Sequence, residues 1–480
     1  MRRCAVAGLR CPGEPLHGRL VGVLAAVRRE IPVLIAVALP LAVAQLAQHA
    51  MGFVDTVMAG RLGPDALAGI ALGSVAFFFV AIVLSSMLFA VGPLVAQATG
   101  ARRPEDAVRA LRQGLLWALL LTPPAMAALW AMPALLRVLG QDPLAVELAS
   151  GYLRNVAWSM APFLVFTALR AYLEGQGHTR PLMFVAFVGV GLNIVANQAF
   201  MFGRWGFPEL GIAGTGVATS LVFAAMALLA FAYVAWRYRW PSALGGRWSW
   251  DGATAREILR LGWPISVTVG FETGLFAVSA VLMGRIGFAE LAGHQIAIQT
   301  ASLTFMIPLA LGIATSARVG HAVGRGDPLG ARAAGAVGIG LAVLTMVASA
   351  ALFLFAPRTI VGLYLDLGDQ ANAAVVGHAV VFLGVAAAFQ LFDGLQVSAI
   401  GALRGLKDTR APMLITLVSY WLVGIGGGVS LAFGFGLGGV GLWWGLVLGL
   451  GVAGGALLAR FVALLRRWRP APVALVDSRP

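Results

Sequence analysis

Apolar stretches long enough to cross a bilayer follow one another along almost the whole chain. They run at 31–59, 66–98, 113–136, 150–173, 181–203, 211–236, 261–286, 291–319, 333–356, 373–402, 411–434 and 438–464. A spanning helix needs about 20 predominantly apolar residues. Polar or Gly/Pro-rich breaks separate the stretches, among them GARRPED, GQGHTRP, RYRWPSALGGRWSWDG, GRGDPLGAR and GLKDTRAP. The pattern predicts an all-α polytopic membrane protein of about 12 transmembrane helices. Composition agrees, since 60% of the residues are hydrophobic and 11% charged, against about 45–50% and about 25% in soluble domains.

The formal charge of +14 would point to nucleic acid in a soluble chain. Its distribution changes that reading. With the spans alternating in direction, all basic residues except Arg61, Arg137, Arg154, Arg204, Arg285 and Arg358 fall on one side. Such asymmetry marks the cytoplasmic face and predicts that both termini lie there. The charge is topology, with the lipid bilayer as partner and no nucleic acid. The only cysteines, Cys4 and Cys11, lie in a short extension over 1–30, so no disulfide framework is implied. That extension lacks the continuous apolar region of a cleaved signal.

The chain also repeats itself. AGRLGPDALAG at 59–69 matches MGRIGFAELAG at 283–293, with Gly60, Arg61, Gly63, Leu67 and Gly69 answering Gly284, Arg285, Gly287, Leu291 and Gly293. The same offset of 224 pairs Pro40 with Pro264, Gly100 with Gly324 and Pro104 with Pro328. Farther on, ALR at 168–170 answers ALR at 402–404 at an offset of 234, and GIAGTG at 211–216 answers GLGGVG at 436–441 at 225. Each unit holds about six spans, an even number, so the two halves share orientation. Parallel repeats of this kind build transporters that bind substrate between their halves and rock one half against the other. The organisation expected is an extension over 1–30, an N-lobe over 31–245, a C-lobe over 246–465 and a tail over 466–480.

The ionisable groups do not follow the repeat. Glu272, near the middle of the seventh stretch, answers Gln48, and Asp55 answers Ser279. Asp393 answers Ser159 at the offset of 234, and Asn193 and Asn197 answer Val423 and Gly427 at 230. A charge at the centre of a spanning helix costs roughly 2.5–3.5 kcal/mol on insertion scales. Acids needed only for packing would recur with the packing, so their asymmetry favours function. Each also has a plainer reading: Asp55 as an acid near a helix end, Glu272 as half of a structural ion pair, Asp393 as part of a satisfied polar network with Gln390 and Gln396. No arginine stands at Glu272's depth in the sequence pattern. Asn193 and Asn197, at i and i+4, share one helix face; they supply either carbonyl ligands to a cation or hydrogen bonds between helices. A desolvated carboxylate disfavours its bare charge, so H⁺ and Na⁺ compete for it, which fits cation-coupled antiport.

Other features carry less. His294 with Gln295 and Gln299 reads as a polar cluster rather than a metal site, Asp366 and Asp369 as solvated loop acids, and Glu174 and His178 as interfacial. The glycine runs have no preceding strand and read as close helix packing rather than nucleotide binding. No Walker A, HExxH or Asp-rich diphosphate motif occurs, which disfavours an enzyme and leaves no cofactor beyond the coupling ion.

At GFVDTVMAGRLGPDALAG the sequence resembles the multidrug and toxic-compound extrusion transporters, in their NorM-like branch. The likeness continues through LNIVANQAFMFGRWGFPELGIAGTGVAT, ETGLFAV, AGHQIAIQ, ARVGHAVGRGD, FQLFDGLQV, ALRGLKDT and SYW, from about Ile31 to Leu465. It implies a V-shaped pair of six-helix lobes exporting hydrophobic, often cationic compounds in exchange for Na⁺ or H⁺. By the same likeness Asp55, Asn193, Asn197 and Thr219 form an N-lobe polar site, while Glu272 and Asp393 are C-lobe acids for cation binding. Asp393, Gln48 and Phe389 are candidates for the substrate cavity. Phe389 departs from the pattern, which has Tyr shortly before the last acid; a hydroxyl ligand is lost there, leaving H⁺ coupling or an N-lobe ion site open.

The expectation is therefore a monomeric multidrug antiporter of the bacterial inner membrane. The main alternative is a lipid-linked oligosaccharide flippase of the same superfamily, which would favour a strongly basic cavity. A general 12-helix facilitator lacks support in GARRPEDAVRALRQG, and a membrane-embedded enzyme would need a convergent catalytic set that the sequence does not supply.

Overall fold

The computed structural model describes residues 16–238 and 249–468. Among these residues, twelve helices are long and apolar enough to cross a membrane. The first six are α1 (Leu16–Gly60), α2 (Pro64–Gly100), α3 (Pro104–Val138), α4 (Pro143–Gln176), α5 (Arg180–Phe200) and α6 (Ile212–Arg237). The second six are α7 (Gly252–Ile286), α8 (Phe288–Gly324), α9 (Pro328–Phe355), α10 (Ala373–Gly405), α11 (Arg410–Gly434) and α12 (Gly438–Arg467).

Most helices outrun their apolar stretches. Their first turns are set by residues that start helices rather than by hydropathy. Proline opens α2, α3, α4 and α9, where its missing N–H costs nothing. Asp142 accepts from Ala145 N at 2.9 Å, Asp327 from Gly330 N at 2.8 Å, and Asp251 from Ala253 N at 3.1 Å; each cap satisfies an orphan donor. α1 begins at Leu16, inside the segment expected as an extension over 1–30. Residues 1–15 with Cys4 and Cys11, the loop 239–248 and the tail 469–480 lie outside the described residues. α11 is wound as a π-helix over Val418–Gly426 and again over Ser430–Gly434.

Close approaches repeat with the sequence. A Cβ on Gly69 would stand 2.6 Å from Leu148 Cβ, and one on Gly293 2.9 Å from His378 Cβ. Likewise Gly175 meets Gly92 O at 2.6 Å and Val95 Cβ at 2.8 Å, while Gly405 meets Ser316 O at 2.7 Å and Val319 Cβ at 2.8 Å. Both comparisons place α10 at an offset of 230 from α4, so the ALR match at 234 is a coincidence of composition. In the structural register Arg404 answers Glu174, Asp393 answers Phe163, and Phe389 answers Ser159. The acid still has no counterpart.

The turns repeat as well. After α4 the left-handed residue is Gly177 (φ 77°), and after α10 it is Lys407 (φ 60°). After α8 it is Gly326 (φ 68°), and after α2 it is Arg102 (φ 58°). The two lobes thus bend the chain alike, one with the residue that adopts this conformation freely and one without.

Apolar packing follows the halves. One cluster of buried residues, including Phe77, Leu129, Tyr152 and Met201, belongs to α1–α6, and another, including Phe382, Phe389, Tyr420 and Trp443, to α7–α12. A third joins Leu34, Leu41, Leu88 and Leu94 to Ile258, Ile265, Leu311 and Val337 across the lobes. It lies toward the arginine-rich end of the bundle. Bonds between halves gather there: Arg318 donates to both carboxylate oxygens of Glu30 at 2.5 and 2.9 Å, Gln113 to Ser249 O at 2.9 Å, and Trp117 to Ala255 O at 3.1 Å.

The left-handed strain predicts a stability change. Arg102→Gly should stabilise the protein by roughly 1 kcal/mol and Gly326→Ala should destabilise it by a similar amount, both read as shifts in thermal melting of purified protein.

Candidate functional site

The N-lobe acid is held by two amides. α5 presents Asn193 and Asn197 one turn apart, both buried, and their Nδ2 atoms donate to Asp55 Oδ1 at 3.0 and 2.6 Å. Asp55 is the last acid of α1, a turn before the helix ends at Gly60. With the NH₂ groups turned to Asp55, the Oδ1 atoms of Asn193 and Asn197 are buried without a hydrogen-bond partner among the described residues. The Thr215 hydroxyl, on α6, is buried in the same condition. Buried acceptors without donors are costly, and carboxylate and carbonyl oxygens are the ligands that a hard cation prefers. Thr219 lies one turn beyond Thr215, but its hydroxyl donates to Thr215 O at 2.9 Å rather than to Asp55. Buried Tyr152, on α4, feels the charge of Asp55.

The C-lobe acids stand differently. Asp393 on α10 is 4% exposed, while Glu272 on α7 is half-buried. The two carboxyls lie within electrostatic reach of each other, and both act on Tyr420 of α11. Tyr420 is fully buried and its hydroxyl accepts from Gln396 Nε2 at 2.5 Å. Beside them Gln390 donates to Thr304 on α8, leaving Gln390 Oε1 and Gln396 Oε1 without partners among the described residues.

Four expectations change here. Arg404, at the end of α10, lies within electrostatic reach of Glu272 and Tyr420, so Glu272 does have an arginine near it. α10 runs to Gly405, farther than its apolar stretch, and so carries the arginine into the bundle. Gln48 is not a free cavity residue, because Arg170 Nη1 donates to its Oε1 at 2.9 Å while Nη2 donates to Gln45 Oε1 at 2.8 Å and Nε to Glu174 at 2.7 Å. Phe389 is 1% exposed and packs edge-on against Trp443 and Phe276, a core position in this state. A hydroxyl within electrostatic reach of Asp393 comes instead from Tyr420, on another helix. The SYW stretch carries it, but nothing in its spacing says which way the ring points. His294 is buried against Trp443 at 5.5 Å between ring centres, while Gln295 and Gln299 are exposed, so the three do not form the polar cluster expected of them. Among the described residues no group of three or more His, Cys, Asp or Glu comes together. Carboxylates, and carbonyl oxygens without hydrogen-bond partners among the described residues, thus occur together in both lobes.

Comparison with known proteins agrees with this architecture. The MatE family model matches residues 40–198 and again 264–429, one copy per half. The chain is 41% identical over 460 residues to a probable multidrug resistance protein NorM of Synechococcus sp., covering 94% of this chain and 99% of that protein. It is 42% identical over 442 residues to a probable multidrug resistance protein NorM of Pseudomonas putida, covering 91% and 95%. Among solved structures, the eukaryotic MATE transporter AtDTX14 superposes with a TM-score of 0.80 at 22% identity, over 91% of this chain and 96% of that one. A multidrug resistance MATE family transporter of the MOP superfamily in an outward-facing conformation gives 0.79 at 22%, over 90% and 96%.

The Asp55 bonds can be weighed by a double-mutant cycle. Asp55→Asn and Asn197→Ala should couple by roughly 1–2 kcal/mol in the stability of the purified protein, as contacting polar pairs do. Asp55→Asn with Thr219→Ala should couple much more weakly.

Proposed function

The chain belongs to the MatE family, and from that premise we propose that it is a multidrug antiporter of the bacterial inner membrane. In this reading it exports hydrophobic, often cationic compounds in exchange for Na⁺ or H⁺. The observation that carries it is the unduplicated set of acids, Asp55, Glu272 and Asp393, on a scaffold that is otherwise duplicated down to its turns. The arginine-rich end is the cytoplasmic face by the charge rule. The family makes the chain a transporter and not an enzyme.

The cycle follows from differential affinity. A ligand moves a two-state equilibrium only as far as it binds one state better. Drug enters a cavity open to the cytoplasm, balanced electrostatically by Asp393. The lobes rock, and Glu272 and Asp393 meet the outer solution. A cation binding there, with Tyr420 and the Gln396 and Gln390 carbonyls close by, satisfies the charge that the drug had satisfied and releases it. Asp55 with Asn193, Asn197 and the α6 threonines Thr215 and Thr219 forms the second cation locus. Arg404 sets the resting balance at Glu272, since an arginine partly neutralises the acid until the entering cation replaces it.

Efflux of preloaded ethidium from pump-deficient bacteria tests this. Wild type should empty cells faster than empty vector, whereas Glu272→Gln and Asp393→Asn at matched membrane levels should fall at least tenfold, toward the vector rate. Dependence on external Na⁺ separates the two ions. Unchanged efflux in both variants removes the acids from the mechanism, and no efflux from wild type turns the reading toward the lipid flippase.

A further inference from the structure

Where the lobes touch, the repeat produces two hydrogen bonds of the same construction. Gln97 Nε2, near the end of α2, donates to the Gly405 carbonyl at the end of α10, at 2.9 Å. His321 Nε2, near the end of α8, lies 2.8 Å from the Gly175 carbonyl at the end of α4. A carbonyl only accepts, so Nε2 carries the proton and donates. Gln97 and His321 are related by the offset of 224, and Gly175 and Gly405 by 230, so each bond is the image of the other. Each runs from one lobe to the other.

The surrounding backbone is built to the same symmetry. A Cβ on Gly100 would collide with His321 O, and one on Gly324 with Gln97 O. Between them a Cβ on Gly320 would stand 2.7 Å from Ala96 Cβ. α2 and α8 therefore cross at backbone contact, and this brings each side chain to the opposite carbonyl. His321 is 8% exposed. Both bonds exist only while the lobes meet here, and each has a net value over its hydrated alternative, so the pair favours that state over any in which the lobes part.

The acceptors also have meaning. Gly405 directly follows Arg404, the arginine within electrostatic reach of Glu272. Gly175 directly follows Glu174, which holds Arg170 against Gln48. Each bond thus ends on the backbone next to a side chain that reports on position 48 or its repeat at 272. In the N-lobe that chain of contacts is amide, arginine and glutamate, which closes on itself. In the C-lobe it is an acid with an arginine within electrostatic reach.

We propose that Gln97 and His321 are positioning residues for transport: a duplicated latch that holds the lobes together at the cytoplasmic end and is released, through Arg404 and Gly405, as the cation state of Glu272 changes. The sidedness and the link to Glu272 rest on the antiporter reading above; the latch itself does not. The Arg318–Glu30 ion pair is a third clamp at the same end and has no repeat.

The test reads lobe separation directly. Spin labels are placed at Arg180→Cys and Arg410→Cys, exposed equivalent positions at the starts of α5 and α11, with Cys4 and Cys11 replaced by Ser. Distances are measured by double electron–electron resonance in lipid nanodiscs, without drug. Wild type should give mainly the short, closed distance. Gln97→Ala and His321→Ala should each raise the open-to-closed ratio roughly fivefold, as loss of about 1 kcal/mol implies, and together by the product. His321→Gln, which installs the amide used at the equivalent position, should restore the closed distribution. A wild-type distribution in both alanine variants, or a His321→Gln variant as open as His321→Ala, overturns the latch. If the double variant does not fold, the single variants and the glutamine rescue decide the matter. Because no cargo is involved, a shift in distances with no ethidium efflux upholds the latch and removes the drug reading instead.

Discussion

A carboxylate placed within the hydrocarbon thickness of a membrane has to be compensated, by a donor, a counter-charge or an entering ion. That constraint organises this molecule. Asp55 is met by two asparagine NH₂ groups. Glu272 has Arg404, and Asp393 shares its surroundings with Glu272 and the Tyr420–Gln396 pair. None of these solutions is closed. The amides that hold Asp55 leave their own carbonyl oxygens without donors, and Asp393 and Glu272 sit close enough to oppose each other's charge. Sites compensated in part are the ones that a monovalent cation or a cationic drug can complete, and completing them differently in two lobe positions is what exchange requires.

Duplication supplies the other half of the account. Two copies of one six-helix plan give the lobes matching turns, matching close contacts and matching bonds to each other, so that the pair has a preferred way to meet. Function then comes from where the copies diverge. Gln48 is locked by Arg170, whereas its repeat Glu272 is an acid within electrostatic reach of Arg404. Asn193 and Asn197 answer Val423, in the π-helical part of α11 that carries Tyr420, and Gly427, the residue just after it. The scaffold is symmetric and the chemistry is not, which makes the lobes distinguishable to an ion.

Much of this was legible in the sequence. Long apolar stretches can only be spans, and the offset of 224 is carried by glycines and prolines that the backbone needs, so it survives divergence. The grouping of Asp55 with Asn193 and Asn197 came from the likeness to the family, their spacing adding only that the two amides share a helix face. What could not be read has identifiable reasons. Hydropathy does not mark helix ends, so α1, α3 and α10 reach farther than their apolar cores, and the last of these hid Arg404. The ALR match suggested the wrong register because three common residues agree by chance, whereas the true register rests on Gly175 and Gly405, whose role is a contact. The partners of Phe389 and Gln48, Trp443 and Arg170, come from other helices, and spacing within one helix does not show them.

The central claim is that cation binding at the interior acids and drug movement are two sides of one exchange. It is tested most directly with purified protein in sealed vesicles whose only energy source is an imposed gradient of Na⁺ or H⁺. The account predicts that one of these gradients alone drives a cationic dye against its own gradient, and that adding dye without a cation gradient drives that cation the opposite way. Dye that crosses at the same rate whatever the cation gradient, with no counter-movement of either ion, would contradict the account and leave a facilitator on the same fold.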